Sequence, residues 1–277
     1  MAAEKIGFYV EFITKDDYQR VGEFDALFIR TTTNVNDYTY QFSRYAYAEG
    51  LAVIDDPWSI LKCSNKLYLA ERMKTGGILT PKSLVISKNS KYENIADKLQ
   101  FPLILKKPDS AFSLGVFKVK DRDELNKTLE ILFETSELVV AQEYIKTDFD
   151  WRIGVLDNAP LYACKYYMAK NHWQIYNWQT SNNKYLSGIC ETLPTAEVCG
   201  NVIDTAVKAA SFMGDGLYGV DLKEIDGKVY LIEVNDNPNI DYRLEDKILG
   251  DELYMKVMKL FYNRIENARN IKRRVST

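Results

Sequence analysis

Leu217-Tyr-Gly219-Val-Asp221-Leu-Lys-Glu-Ile225-Asp226-Gly227-Lys228-Val-Tyr-Leu231-Ile232-Glu233-Val-Asn235-Asp-Asn-Pro238 is the stretch that decides the fold. Apolar residues run through Leu217 to Ile225, Asp226-Gly227 supplies a hairpin turn, and Lys228 to Asn235 reads as the returning strand. Glu233 and Asn235 lie two positions apart and so project from one face of that strand. An uninterrupted two-residue turn would pair Asp221 with Ile232 and leave Asp221 on the opposite face. Convergence of Asp221, Glu233 and Asn235 therefore needs one extra residue, for which a G1-type bulge near Gly227 is the natural device. Two carboxylates and an amide oxygen are donors that Mg²⁺ takes, with phosphate oxygens and waters completing its octahedron. An ordinary hairpin with polar residues near its turn is the other reading, although Leu231-Ile-Glu-Val-Asn235 sets two polar side chains inside an apolar strand.

Working outward, the 277 residues are 46% hydrophobic, 13% aromatic and 27% charged, which is the usage of a folded globular protein and not of a disordered or collagen-like chain. The 39 acidic and 36 basic side chains leave a net charge of −3, without the basic excess of a general nucleic-acid binder. No apolar run approaches the roughly 20 residues of a membrane span, and the start MAAEKIGFYVEF lacks the apolar segment of a secretory signal. A cytoplasmic protein with no nucleic-acid or membrane partner is expected. The four cysteines are widely spaced and suit reduced thiols, and His172, the single histidine, excludes a multi-histidine zinc site. Any metal is held by oxygen.

Short β-rich runs are expected at Ile6 to Ile13, Phe24 to Arg30 and Leu51 to Ile54, with a helix over Tyr38 to Gly50. Two or three strands would expose an apolar edge at Ile6 to Ile13, and pairing of that edge with a second copy predicts a homodimer, the alternative being that the helix Tyr38 to Gly50 or the C-terminal tail covers it within the monomer. A second unit opens with a helix capped by Ser64 or Asn65 and ended by Gly76-Gly77. It continues with strands Lys82 to Ser87, Phe101 to Leu105 and Val116 to Lys120, and a helix from Asp123 to Thr135 with Leu125, Leu129 and Leu132 on one face. Strands Glu137 to Tyr144, Asp150 to Leu156 and Pro160 to Met168 follow. A helix from Thr195 to Met213 precedes the hairpin, and one from Asp251 follows it.

Between two of those strands lies Lys106-Lys107-Pro108-Asp109-Ser110-Ala-Phe-Ser113-Leu-Gly115. Backbone N–H groups and the hydroxyls of Ser110 and Ser113 can fold over phosphate oxygens while Lys106 supplies a point charge. It is not a Walker A loop, and taken alone two lysines at a strand end suit a solvated surface equally.

Together these residues carry a resemblance to the ATP-grasp superfamily, and within it to the RimK-like, ribosomal-protein-S6 modification type of glutamate ligase and the glutathione synthetase group. The motifs stand in the family's order: Asn65-Lys66, Pro102-Leu-Ile-Leu-Lys106, the loop through Gly115-Val116, Gln142-Glu143-Tyr144-Ile145, Asp150-Trp-Arg152, Gly219-Val-Asp221 and Glu233-Val-Asn235-Asp-Asn-Pro238. The fold class implied is α/β with α+β lobes: a shortened N-terminal βαβ domain over residues 1–60, a small lobe over 61–141 and a large lobe with the metal site over 142–277.

The resemblance implies ATP and Mg²⁺, expected as two ions with Mn²⁺ able to substitute. Lys66 and Lys106 would reach the phosphates, and Glu143, Tyr144 and Ile145 would form the linker that reads the adenine edge. Asp150 would hold the ribose, Lys165 would add a looser phosphate contact, and Asp221, Glu233 and Asn235 match the metal ligands. The activity implied is carboxylate–amine ligation through an acyl phosphate, with a small amino acid, peptide or protein as acceptor. Arg152 and Arg30 are candidates for gripping the acyl phosphate or a carboxylate, because a guanidinium pairs bidentately with either. His172-Trp173-Gln174-Ile-Tyr-Asn177 stands where the ribosomal-protein ligases carry an Arg-Ser-Asn patch, and it suits stacking on a base or shaping an acceptor pocket. A non-catalytic nucleotide-binding subunit is the alternative. It predicts a damaged metal cluster, whereas both lysines and all three metal candidates are present.

Overall fold

The alternating elements resolve into three sheets of two, five and four strands in a computed structural model that describes residues 1–89, 95–109, 115–177 and 187–275. The first is a parallel pair, β1 (Ala26–Phe28) and β2 (Ala52–Ile54), joined by helix α2 (Tyr38–Ala48). Phe42 and Ala46 of α2 pack on Val53 and on Val21 of the 3₁₀ segment Lys15–Glu23.

The strand expected over Ile6 to Ile13 does not form. Helix α1 (Ala2–Ile6) ends at Gly7, which takes the left-handed φ of 98° that glycine tolerates. Residues 8–14 then run without strand pairing, with Tyr9 88% and Phe12 86% exposed. Phe8 packs on Tyr262, and Lys5 pairs with Asp251 at 3.0 Å, so α1 and Phe8 lie against the last helix, while Ile13 packs beside Val21 and Phe42. Period-two alternation yields a strand only where a neighbour takes its hydrogen bonds. The apolar edge on which the homodimer expectation rested is therefore absent from the fold.

Helix α3 (Pro57–Cys63) is an addition that the sequence signals through Asp56-Pro57. Asp56 caps it by accepting from the Trp58 and Ser59 backbones, and proline occupies the first turn. Helix α4 (Lys66–Thr75) is capped by Asn65, and its Leu69 and Met73 join the core of the five-stranded sheet, so this segment packs with the large lobe.

The four-stranded sheet has the order β3 (Ser83–Ser87), β6 (Leu138–Glu143), β4 (Leu103–Lys106), β5 (Val116–Val119). Helices α5 (Ile95–Lys98) and α6 (Arg122–Phe133) cover one face, where Leu125, Leu129 and Leu132 meet Leu103, Leu105 and Val139. Alternation along β4 sends Ile104 and Lys106 to the other face, which fronts a cleft.

The five-stranded antiparallel sheet has the order β11 (Lys228–Asn235), β10 (Leu217–Ile225), β7 (Phe149–Leu156), β8 (Ala159–Tyr167), β9 (Cys190–Leu193). Helix α7 (Gly200–Ser211) packs on one face, against Ile153, Val220 and Leu231. Helix α8 (Asp251–Val275) and the parallel pair cover part of the other, against Tyr162, Tyr166 and Leu217. The helix expected over Thr195 to Met213 is divided: a 3₁₀ turn covers Thr195–Glu197, and Val198 is extended and buried before α7 begins.

In the deciding hairpin, Asp221 does pair with Glu233, but the turn is a regular two-residue one, with Ile225 opposite Lys228 and positive φ at Asp226 and Gly227. The irregularity lies at Asp221/Leu222, where Leu222 pairs with Leu231 and Ile232 is the extra residue. The bulge expected at Gly227 thus sits five residues further on. It turns Leu231 toward α7 and Glu233 toward the cleft. Deleting Ile232 is expected to close the bulge while keeping Leu231 opposite Leu222 and Glu233 opposite Asp221, so the variant should retain a cooperative thermal transition by circular dichroism, and loss of that transition would show that the bulge itself is required. Ile232→Ala, which keeps the extra residue, should melt within about 5 °C of the parent.

Candidate active site

The two larger sheets face each other across a cleft of about 450 Å³. Its small-lobe wall carries Lys106 at the end of β4 and Glu143, Tyr144 and Ile145, where β6 ends and the chain runs on outside the sheet. The large-lobe wall carries Asp150 and Arg152 of β7, Asp221 of β10, and Glu233 and Asn235 of β11. Lys66, in the first turn of α4, also lines it, and its backbone N–H donates to the Pro108 carbonyl at 3.1 Å, tying the helix start to the loop after β4.

The charges are arranged as pairs. Lys66 meets Glu233 at 3.1 Å. Arg152 donates Nε and Nη2 to the two oxygens of Asp221 at 2.7 and 2.8 Å, and its guanidinium lies over the Tyr166 ring. Lys223 pairs with Asp150 and donates to Thr147 at 2.8 Å. Burial opposes the Arg152 charge, and the Asp221 carboxylate more than restores it. Burial raises the Asp150 carboxyl above its ordinary range while Lys223 pulls it back. Lys106 is 8% exposed and donates instead to the Gln142 amide oxygen at 3.1 Å. Burial pushes its pKa down to about 8, with Glu233 opposing the shift and Lys66 adding to it.

Asn235 donates to the Gly219 carbonyl and to Asp221, which sets its amide oxygen apart from the carboxylate. Among the described residues no three carboxylate, histidine or cysteine side chains are grouped to hold a metal ion. The oxygen-only set of Asp221, Glu233 and Asn235 fits Mg²⁺ that takes its remaining ligands from phosphate and water.

The cleft is also lined by Thr32, Thr33 and Asn34, by Asp236 to Asn239, and by Trp173 to Tyr176. Thr33 donates to Asp236 at 2.7 Å. Trp173 meets the Tyr144 ring edge-on at 6.0 Å between centroids, and the Lys118 ammonium stands 3.7 Å from the Tyr144 ring centre. His172 lies behind, against Gln174 at 3.3 Å.

Two expected contacts do not reach the cleft. Arg30 donates to Asn237 Oδ1 at 3.2 Å and to the Pro238 carbonyl at 2.8 Å, so it braces the loop after β11 from behind. Lys165 pairs with Trp151 in the sheet and stands beside the Phe149 and Trp151 rings, on the α7 side. The cause is a second bulge: Gly154 pairs with Tyr162 but Val155 with Pro160, and the extra Leu161 shifts Lys165 off the register that would set it opposite Asp150. Ser110 and Ser113 lie outside the described residues. Lys223 is a cleft residue that the sequence reading does not single out, although its place two residues after Asp221 puts it on the same strand face.

Residues 62–259 match the RimK-like ATP-grasp domain. The chain is 30% identical over 254 residues to the alpha-aminoadipate–LysW ligase LysX of Sulfolobus acidocaldarius, covering 85% of this chain and 86% of that protein. It is 26% identical over 208 residues to the coenzyme gamma-F420-2:alpha-L-glutamate ligase of Methanococcus maripaludis, covering 73% of this chain and 68% of that one. Its fold is similar to that of D-alanine–D-alanine ligase from Bacillus anthracis, with a TM-score of 0.74 at 21% identity over 93% of this chain and 85% of that one. The complex of that ligase with ATP gives 0.72 at 22% identity, over 92% and 85%.

A lysine depressed by burial is charged below its shifted pKa and neutral above it. Lys106 is therefore expected to lose its proton as pH rises through about 8, whereas a phosphate chain has shed its last proton near pH 6. Titration calorimetry with ATP should show affinity falling toward about tenfold per pH unit above that point, and Lys106→Arg, which stays protonated, should flatten the decline. A flat profile in the parent to pH 9.5, well above the shifted pKa (~1.5 units), would separate Lys106 from the anion.

Proposed function

From the premise that the chain belongs to the RimK-like ATP-grasp family, we propose how its cleft divides the work of ligation among named residues. The protein is an ATP-dependent carboxylate–amine ligase, forming an amide through an acyl phosphate and releasing ADP and phosphate. The observation that carries the residue assignment is that Lys66 and Lys106 share one cleft with the Asp221–Glu233–Asn235 set and the Glu143–Ile145 linker.

In this reading the linker takes the adenine edge, and Asp150, steadied by Lys223 and Thr147, takes the ribose hydroxyls. Lys66 and Lys106 take the phosphates. The chemical obstacle is that an anionic substrate carboxylate must approach an anionic triphosphate, so positive charge has to be in place beforehand. Glu233 and Asn235, with Asp221, would hold Mg²⁺, expected as two ions and replaceable by Mn²⁺. The ion supplies further neutralisation of the phosphate oxygens when bound. Arg152, fixed by its two bonds to Asp221, is assigned to the phosphoryl group in transfer, because its guanidinium is half-buried in the cleft wall and cannot swing away without breaking both. Arg30 and Lys165 are given no substrate contact.

The acceptor is proposed to be the amine of an amino acid, a peptide or a carrier protein. The neutral polar wall of Thr32, Thr33 and Asn34 and the Trp173–Tyr176 segment support a substrate recognised by hydrogen bonds and aromatic contact.

Incubation with Mg-ATP and pools of amino acids and peptides, followed by mass spectrometry, is expected to reveal condensation products together with ADP and phosphate. AMP and pyrophosphate as products would contradict the acyl-phosphate route. Glu233→Gln and Asn235→Ala should each lower the ligation rate by about a hundredfold or more, with melting temperatures within about 3 °C of the parent because neither side chain packs in a core. Retention of the rate in folded variants would remove both from the metal site.

A further inference from the structure

Three neighbouring strands of the small lobe place Ser83, Gln142 and Lys106 on the face that fronts the cleft. Ser83 pairs with Gln142 across β3 and β6, and Gln142 pairs with Ile104 across β6 and β4, one side-chain repeat from Lys106. The hydrogen bonds between them have a fixed direction. Ser83 Oγ donates its proton to the Pro81 carbonyl at 2.8 Å. It therefore meets Gln142 as an acceptor, taking an N–H from Nε2 at 2.9 Å. That fixes the amide with its oxygen toward Lys106, whose ammonium donates to Oε1 at 3.1 Å. Reversing the amide would set two donors against each other at the Lys106 end and leave two acceptors facing at the Ser83 end.

We infer that Gln142 is a positioning residue for the Lys106 ammonium, held in its working orientation by Ser83. The inference rests on the reading of Lys106 as a phosphate contact. The choice of an amide has a physical reason. Lys66, Arg152 and Lys223 are each paired with a carboxylate, which must be displaced or shared when an anion arrives. A neutral oxygen holds the Lys106 ammonium in place without neutralising its charge, and the remaining N–H groups of a buried lysine stay directed at the cleft. The same amide leads directly into the Glu143–Ile145 linker, so a merely structural role would disturb the base and the phosphates alike.

Dissociation constants for Mg-ATP and for adenosine, measured calorimetrically on the full chain and on Gln142→Met, Ser83→Ala, Lys106→Met and the Lys106→Met/Gln142→Met double variant, separate those outcomes. Gln142→Met is expected to weaken Mg-ATP by about tenfold and leave adenosine within about twofold, with Ser83→Ala shifting Mg-ATP in the same direction by less. In the Lys106→Met background, Gln142→Met should change Mg-ATP affinity by less than about twofold. Equal losses for ATP and adenosine, or a Gln142→Met effect that persists in full without Lys106, would overturn the inference while leaving the phosphate reading of Lys106 standing. Unchanged Mg-ATP affinity in Lys106→Met would overturn both. Should Gln142→Met fail to fold, Ser83→Ala compared with its own Lys106→Met double variant distinguishes the same alternatives.

Discussion

Side chains alternate across a strand, so each residue inserted into a ladder exchanges the two faces of everything beyond it, and two such insertions decide what the cleft contains. Ile232 is the extra residue on β11, and it brings Glu233 opposite Asp221 with Asn235 next on the same face. Leu161 is the extra residue on β8, and it carries Lys165 away from the cleft to the side covered by α7. The chemistry-bearing residues would be differently sorted without either bulge. The apolar residues beside them fix the registers, since Leu231 and Val234 on one strand and Ala163 on the other are buried in the α7 core.

Once sorted, the charges must survive in a partly dry cleft. A buried ion without a partner costs several kcal/mol, and a paired one roughly breaks even. Lys66 with Glu233, Arg152 with Asp221 and Lys223 with Asp150 each satisfy that condition. The first of these pairs makes the cleft ready for a polyanion and its metal: an arriving phosphate can take over Lys66 while the released Glu233 carboxylate turns to a cation. Lys106 follows a different rule, with a neutral partner and a depressed pKa, and so presents a charge not already matched by a carboxylate bond.

Much of this is legible in the chain. The hairpin, the strand ending in Lys106, the Asn65 cap and the leucine face of α6 follow from periodicity and capping chemistry, and the pairing of Asp221 with Glu233 follows from asking how three ligands can converge. The position of the bulge does not, because Gly227 offers the local signal while the selecting force is burial of Leu231 far along the strand. The burial of Lys165 on the α7 side escapes a local reading for the same reason. Ile6 to Ile13 misleads in the other direction: its alternation is real, but no strand lies beside it, and Phe8 packs on Tyr262 while Tyr9 and Phe12 stay exposed. Asp56-Pro57 is a readable helix start, and Lys223 is readable by parity from Asp221.

The Lys66–Glu233 pair of the cleft is, on this account, a place-holder that Mg-nucleotide exchanges. A crystal structure of the protein with Mg²⁺ and a non-hydrolysable ATP analogue tests this most directly. The account predicts Lys66 and Lys106 on phosphate oxygens, Glu233 turned from Lys66 to the metal, and the base against the Glu143–Ile145 backbone. A nucleotide bound with the Lys66–Glu233 pair still closed at its 3.1 Å separation, or seated away from Lys106, would contradict it.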